Sequence, residues 1–399
     1  LEAIIDKERP QAILPNFGGK LGLNLCLQLA DKGILDKYQI EIIGASITAI
    51  KSCEDRLKFR QEMNKLGFEI AKSEVAHNMG EALAIAKDFH YPVMLRPLAR
   101  NKLSGGGLVY NKDELKASME EKVLIEESLL GWQELELEIV RERQNNIIPV
   151  CLIENIDPVG IHTGDSLSCS PMLTVAKNVQ KRLIEKATKI IEALEIIGGI
   201  NVQFAYDKKT DRIFVTEVNP RTGKTAAFAS KATGFPLAFF GAMLEVGLTL
   251  DEIASIKQES STNFKPDEEA IILKFPRWDF EKFSDTPNKL GTQMRSVGEV
   301  ISFGKTYKEA LQKALRSLEN DTYGLGDKKN TSKKTKTELV MMLKTPTSDR
   351  YFIIYEALKK GVSVKEIEEI TKIKPYFLEQ IKELADEEIV LELSKGQIP

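Results

Sequence analysis

The sequence predicts an α/β (α+β) protein of several domains that ends in a small all-helical unit. Three observations carry this expectation. The chain has 399 residues, whereas one hydrophobic core usually serves a domain of about 100–200 residues, so two or three units are expected. Up to about Leu318, apolar runs of strand length alternate with amphipathic helical segments. Beyond a Lys-rich stretch, only helical spacing remains.

The elements follow in order. The chain opens inside a helix, and residues 10–50 read as strand QAILP, glycine loop FGGK, an amphipathic helix to about Lys32 and strand EIIGA. Such a unit normally begins with an earlier strand, Gly-rich turn and helix, so residues 1–51 are expected to be a truncated α/β domain. Leu57, Phe59, Met63 and Leu66 are spaced for a helix that leads into a small α/β module, 52–123, with YPVMLRPL and LSGGGLVY. The expected body, 124–325, holds strands LELEIV, IIPVCLIE and RIFVTEV around a long helix near 178–196. It continues through EAIILKF, FPRWDFEKF, EVISF and the helix KEALQKALRSLE. GDKKNTSKKTKTE, 326–338, is polar and reads as a solvated linker. Helical residues 339–399 follow, with Ser363 as an N-cap and Gly361 ending the helix before it.

Composition narrows the function classes. Hydrophobic residues at 42% and charged residues at 29% are ordinary globular values. No apolar run reaches the ~18 residues of a membrane span. LEAIIDKERPQAILP has none of the marks of a signal peptide. Cys26, Cys53, Cys151 and Cys169 lie far apart, which fits reduced thiols in a cytoplasmic chain rather than a disulfide frame or zinc site. A net charge of −3 argues against nucleic acid as the main partner. A small-molecule ligand is the expectation.

The strongest local signal is TEVNPRTGK, 216–224, just after a strand, with NVQFAY, 201–206, on another. Gln203, Glu217 and Asn219 can then converge as oxygen ligands, a donor set that suits Mg²⁺ or Mn²⁺ bridging nucleotide phosphates. Arg221 adds a planar charged fork for a phosphoryl or carboxylate oxygen. Simple strand-end polarity is the competing reading. In ARNKLSGGG, 99–107, three glycines after Arg96 can wrap phosphate oxygens with backbone N–H groups, or merely form a hairpin. Glu127 and Glu134 stand near a strand edge, where an acceptor can hold a ribose hydroxyl, although a charged hairpin would look similar. His162 lies between glycines in NIDPVGIHTGDS, either as a ligand contact or as a solvated bystander.

Together ERPQAILPNFGG, CEDRLKF, IEESLLGWQELELEIVR, IENIDPVGIHTGDS, NVQF, EVNPR, ASKATGFP, FPRWDFEKF and TQMRSVGEV resemble one family: the large chain of carbamoyl-phosphate synthetase, an ATP-grasp enzyme. Their order resembles its first synthetase half and the start of its helical oligomerisation domain. The resemblance implies a pre-ATP-grasp domain, an ATP-grasp fold and a partial oligomerisation domain. It implies ATP contacts from Arg56, Arg96, Glu127, Leu129, Glu134, Gly160, Ile161 and His162, with Gln203 and Glu217 also facing the nucleotide. It implies metal ligation by Gln203, Glu217 and Asn219, with Arg221 and Lys224 near the bicarbonate-derived group. The implied chemistry is phosphorylation of bicarbonate to carboxyphosphate and its amination by ammonia to carbamate. The implied partners are a second synthetase half, a glutaminase small subunit and further copies of the chain through the helical tail.

Three places, five positions in all, depart from the family pattern. Asn101, Lys102 and Leu103 replace Met-Gly-Gly, Lys224 replaces a second arginine, and Lys20 replaces glutamine. Two further readings therefore stay open: a catalytically impaired nucleotide-binding or scaffold relative, and another ATP-grasp carboxylate ligase.

Overall fold

The computed structural model describes residues 1–97, 107–119, 122–257, 270–282, 285–327 and 329–394. The altered loop at 100–103 lies outside the described residues.

Helix Glu2–Glu8 leads to strand β1, Ala12–Ile13, which pairs in parallel with β2, Glu41–Ile42. Helix Gly19–Asp31 crosses between them, and Gly22 lets it approach the preceding turn, since a Cβ there would sit 2.7 Å from the Pro15 carbonyl oxygen. Asp55 then divides two helices. It ends Ile47–Glu54 and caps Arg56–Lys65, its carboxylate accepting from the Leu57 and Lys58 N–H groups at 3.0 and 3.2 Å.

A four-stranded antiparallel sheet follows, built from β3 Ser73–Ala76, β4 Val93–Pro97, β5 Gly107–Val109 and β6 Val123–Glu127 in the order β3-β6-β4-β5. The larger sheet holds β7 Gln133–Arg141, β8 Ile147–Asn155, β9 Ser168–Ser170, β10 Gly198–Asp207, β11 Arg212–Asn219, β12 Ile271–Arg277 and β13 Gly298–Gly304. Their order is β11-β10-β7-β8-β9-β12-β13, with every pairing antiparallel. This makes the body α+β in character. Helix Lys177–Ala193 buries its apolar stripe on one face against Leu135, Leu137 and Ile139. Helices Lys224–Thr233 and Leu237–Glu245 cover Val140, Val150 and Ile153.

The segment expected as a solvated linker is helical over Lys329–Ser332 and from Lys336 onward. Thr335 and Glu338 form a reciprocal capping box at the start of Lys336–Leu343, and Leu339 anchors that helix in the core. The polar run hid this start because a cap needs only two correctly spaced side chains. Helices Arg350–Lys359, Val364–Thr371 and Pro375–Leu393 complete the tail, with Ser363 capping the second through the Glu366 N–H at 3.1 Å and Gly361 at φ +77° after the first. The tail shares one core with Leu273 and Phe275 of β12 and with helix Tyr307–Ser317. Among the described residues no single helix is long and apolar enough to cross a membrane.

Candidate active site

Antiparallel registry builds the centre of the site. Gln203 of β10 stands opposite Glu217 of β11, and Asn201 opposite Asn219, so four oxygen-bearing side chains meet on neighbouring strands. Asn219 donates to Asn201 Oδ1 at 3.3 Å and accepts from Arg221 Nη2 at 3.0 Å, which orients the guanidinium. These groups face a cavity of about 730 Å³. Arg56, Arg96, Glu127, Leu129, Glu134, Gly160, Ile161, His162 and Lys224 line the same cavity.

Each wall has a local reason. Arg56, first in its helix, donates from Nη1 to the Thr216 carbonyl at 3.3 Å, and burial, followed by the nearby Arg96 charge, lowers its pKa. Arg96 on β4 pairs with Glu126 on β6 at 2.5 Å. Glu127 accepts from the Lys72 N–H at 2.8 Å, which joins the strand edge to the chain before β3. Leu129 accepts from the Trp132 N–H at 3.0 Å, closing a turn whose Gly131 N–H and Trp132 carbonyl pair with Val159. Gly160 is required there: it has φ +119°, and a Cβ would lie 2.5 Å from Leu130 Cδ1.

His162 donates its N–H to the Gly291 carbonyl at 2.7 Å, and its Nδ1 accepts from the Gly164 N–H at 3.0 Å. Burial lowers its pKa, so the ring is neutral near pH 7, as that acceptor role requires. Glu134 is the opposite case. Burial, with Glu136 next, raises its pKa well above the usual carboxylate range, and its Oε2 is buried with no hydrogen-bond partner among the described residues.

Two residues that sequence reasoning missed hold this loop. Asp165, fully buried, accepts from the N–H groups of Arg295 and Ser296 at 2.8 and 2.6 Å and from Trp278 Nε1 at 3.1 Å. Lys274 is 3% exposed, lines the cavity and donates from Nζ to the Thr163 carbonyl at 2.8 Å. Its burial lowers its pKa while Glu136, Glu299 and Glu134 oppose the shift. A lone lysine inside the apolar strand IILKFPR was the available signal. Lys224 begins helix Lys224–Thr233, is exposed, and places Nζ 3.8 Å from Met294 Sδ. Lys20, also on the cavity wall, pairs with Glu54 at 3.5 Å.

The residues fit a hard cation and an anionic ligand. Gln203, Glu217 and Asn219 can each offer an oxygen to a cation, and no group of three or more His, Cys, Asp or Glu side chains suited to a metal occurs among the described residues. A cation here would need further oxygens from a bound ligand. The buried Arg221 Nε, without a partner among the described residues, adds an unspent donor on the same wall.

Comparisons with known proteins follow this geometry. Residues 1–52 match the carbamoyl phosphate synthase preATP-grasp domain, residues 55–253 the ATP binding domain of the carbamoyl-phosphate synthase L chain, and residues 299–398 the large-chain oligomerisation domain. The chain belongs to the carbamoyl-phosphate synthetase large-chain family. It is 46% identical over 393 residues to the carbamoyl phosphate synthase large chain of Archaeoglobus fulgidus, covering 96% of this chain and 36% of that protein. It is 44% identical over 408 residues to the large chain of Thermotoga sp. (strain RQ2), covering 100% of this chain and 36% of that protein. The chain thus spans about a third of the length of these large chains.

Solved structures agree on the ATP-grasp fold. The biotin carboxylase domain of Hydrogenobacter thermophilus 2-oxoglutarate carboxylase, solved with MgADP, ADP and bicarbonate, superposes at TM-score 0.63 and 14% identity, covering 96% of this chain and 84% of that one. Campylobacter jejuni biotin carboxylase gives TM-score 0.59 at 16% identity, covering 89% and 80%. The family's oligomerisation model begins at residue 299, ahead of helix Tyr307–Ser317, which shares the tail's core.

Proposed function

We propose that this chain binds ATP with Mg²⁺, phosphorylates bicarbonate to carboxyphosphate and aminates it with ammonia to carbamate, as the first-synthetase portion of a larger glutamine-dependent enzyme. The observation that carries this reading is the convergence of Gln203, Glu217, Asn219 and Arg221 with Arg56, Arg96, Glu134 and His162 on one cavity in a chain of this family. The site is cytoplasmic in this reading. Its partners are a second synthetase half and a glutaminase subunit, and the helical tail joins further copies.

The chemistry joins two anions, so neutralising charge matters more than a general base. A bicarbonate oxygen attacks the γ-phosphorus as the bond to the ADP oxygen breaks; ammonia then attacks the carboxyl carbon and phosphate leaves. Gln203, Glu217 and Asn219 would hold Mg²⁺ or Mn²⁺, which when bound neutralises phosphate charge. Arg56 and Arg96 bring positive charge to the phosphate end. Arg221, held by Asn219, presents its fork to the acceptor, with Lys224 as a point charge beside it. Glu134 and the Gly160–His162 segment take the nucleoside end, where a neutral imidazole and an unpartnered carboxyl oxygen suit hydroxyl and base contacts.

The test is magnesium-dependent ADP release with and without bicarbonate, beside Glu217→Gln. Bicarbonate-stimulated release that falls by about 100-fold or more in the variant is the expected result. The altered 100–103 loop and Lys224 favour a second reading, a nucleotide-binding scaffold, because Asn101, Lys102 and Leu103 change the glycine loop and Lys224 cannot make an arginine's bidentate contact. ATP binding by the folded chain without turnover, alone and inside the longer enzyme, supports that reading and defeats the first.

A further inference from the structure

We propose that Arg350 and Tyr351 of the helical tail are positioning residues for the nucleotide loop, so that docking of the tail sets the affinity of the ATP cavity. The inference rests on the nucleotide-binding reading above. It begins at Asp157, which follows β8 and opens the loop that carries Gly160, Ile161 and His162 to the cavity wall. Asp157 is completely buried, and Arg350 Nη2 lies 2.5 Å from its Oδ2, with side-chain exposures of 5% and 0%. Tyr351 donates its hydroxyl to Asp157 Oδ1 at 3.0 Å, and the Leu167 N–H donates to Oδ2 at 3.0 Å. The carboxylate therefore joins both ends of the loop to the first turn of helix Arg350–Lys359.

A second connection runs in parallel. His162 donates its N–H to Gly291 at 2.7 Å, Leu290 donates its N–H to Pro346 at 2.9 Å, and Asn288 and Ser348 exchange hydrogen bonds of 2.8 and 3.0 Å. Both routes end within residues 346–351, where the tail enters its first long helix. Tyr351 also packs against Phe275 of β12, ring centroids 5.9 Å apart, which fixes that helix on the strand carrying Lys274.

Replacing a buried ion pair by apolar side chains often leaves stability unchanged, so stability alone gives little reason for one here. Charges buried at this junction hold one orientation of the loop instead. The oligomerisation unit and the nucleotide cavity are thereby two ends of one packed junction, and by linkage a nucleotide that orders the loop also strengthens tail docking.

The experiment measures ATP affinity of the full chain, with Mg²⁺, by equilibrium titration for wild type, Arg350→Met, Tyr351→Phe and Asp157→Asn/Arg350→Met. Lys308→Met serves as a control that removes a tail ion pair, Lys308–Glu383 at 2.7 Å, without touching the loop. The expected result is an ATP Kd raised about fivefold or more in Arg350→Met and the double variant, a smaller rise in Tyr351→Phe, and no change in the control. Hydrogen exchange at the Leu167 amide rises in the same variants, a readout independent of turnover. Tyr351→Phe removes one hydroxyl and keeps the ring, so it retains the fold if Arg350→Met does not. Wild-type affinity in folded Tyr351→Phe and in the double variant overturns the inference and leaves the proposed function standing. Failure of the wild-type chain to bind ATP overturns both.

Discussion

Glu245 offers a test of how the first domain is held on the body. It is the last residue of helix Leu237–Glu245, completely buried, and its Oε1 accepts from Asn16 Nδ2 at 3.0 Å. Gly198 and Gly44 make room for it: a Cβ on them would lie 2.1 Å from Glu245 Oε1 and 3.2 Å from its Cδ. Burial raises its pKa from 4.5 to about 8, outweighing the hydrogen bonds from Asn16 and the Gly199 N–H. Between those values the folded chain keeps a proton that the unfolded chain has released, so stability falls as pH rises through this window and levels off above it. At ~1.4 kcal/mol per pH unit the loss amounts to about 5 kcal/mol. Glu245→Gln keeps an acceptor for Asn16 and removes the titration. Urea unfolding midpoints should coincide for wild type and variant near pH 5 and separate progressively toward pH 8.5, with the variant the more stable by about 3–5 kcal/mol. A gap that does not change with pH would refute burial of an uncompensated carboxyl as the cause. Glu138, also raised to about 8 by burial, contributes in the same direction and is retained in both proteins, so it cancels from the comparison.

Two further outcomes follow from the loop. Lys274→Met removes the ammonium that holds the Thr163 carbonyl and faces Glu134, Glu136 and Glu299, so the ATP Kd should rise about tenfold, measured by titration beside Asp165→Asn, which loosens the same loop from the other side. His162 has a lowered pKa, so its contribution to ATP affinity should be constant from pH 7 to 8.5 and be lost only below the ordinary histidine value of 6.5, where protonation ends acceptance from Gly164. The corresponding loss in a pH titration should be absent in His162→Asn.

The strands, the Ser363 cap and the small helical tail were legible in the sequence because each depends on near neighbours. Period-two alternation and helical spacing marked the elements, Ser363 and Gly361 marked a helix start and end, and TEVNPRTGK after a strand marked the candidate site. NVQF and EVNPR could be paired in advance because β10 and β11 are consecutive antiparallel strands, whose registry brings Gln203 to Glu217. Chain order carries no such information for Lys274, which reaches the loop from β12, or for the partners of Asp165, Arg295 and Ser296, which reach it from the segment before β13, far along the chain. Nor does it show that the acidic face of QELELEIVR is covered. Alternation puts Glu134, Glu136 and Glu138 opposite Leu135, Leu137 and Ile139, a pattern that reads as one wet and one dry face, yet all three carboxyls are shielded. What covers them are Asn155, Asn201 and Lys274 from other strands. The sequence by itself determined the local elements and the residue types able to meet a nucleotide and a hard cation. The tertiary structure alone decided which side chains share a cavity, which charges lose water, and that a helix of the tail reaches the Gly160–His162 loop through Arg350 and Asp157. Burial and convergence are properties of the sheet order and of packing between distant segments, and no short stretch of chain encodes either.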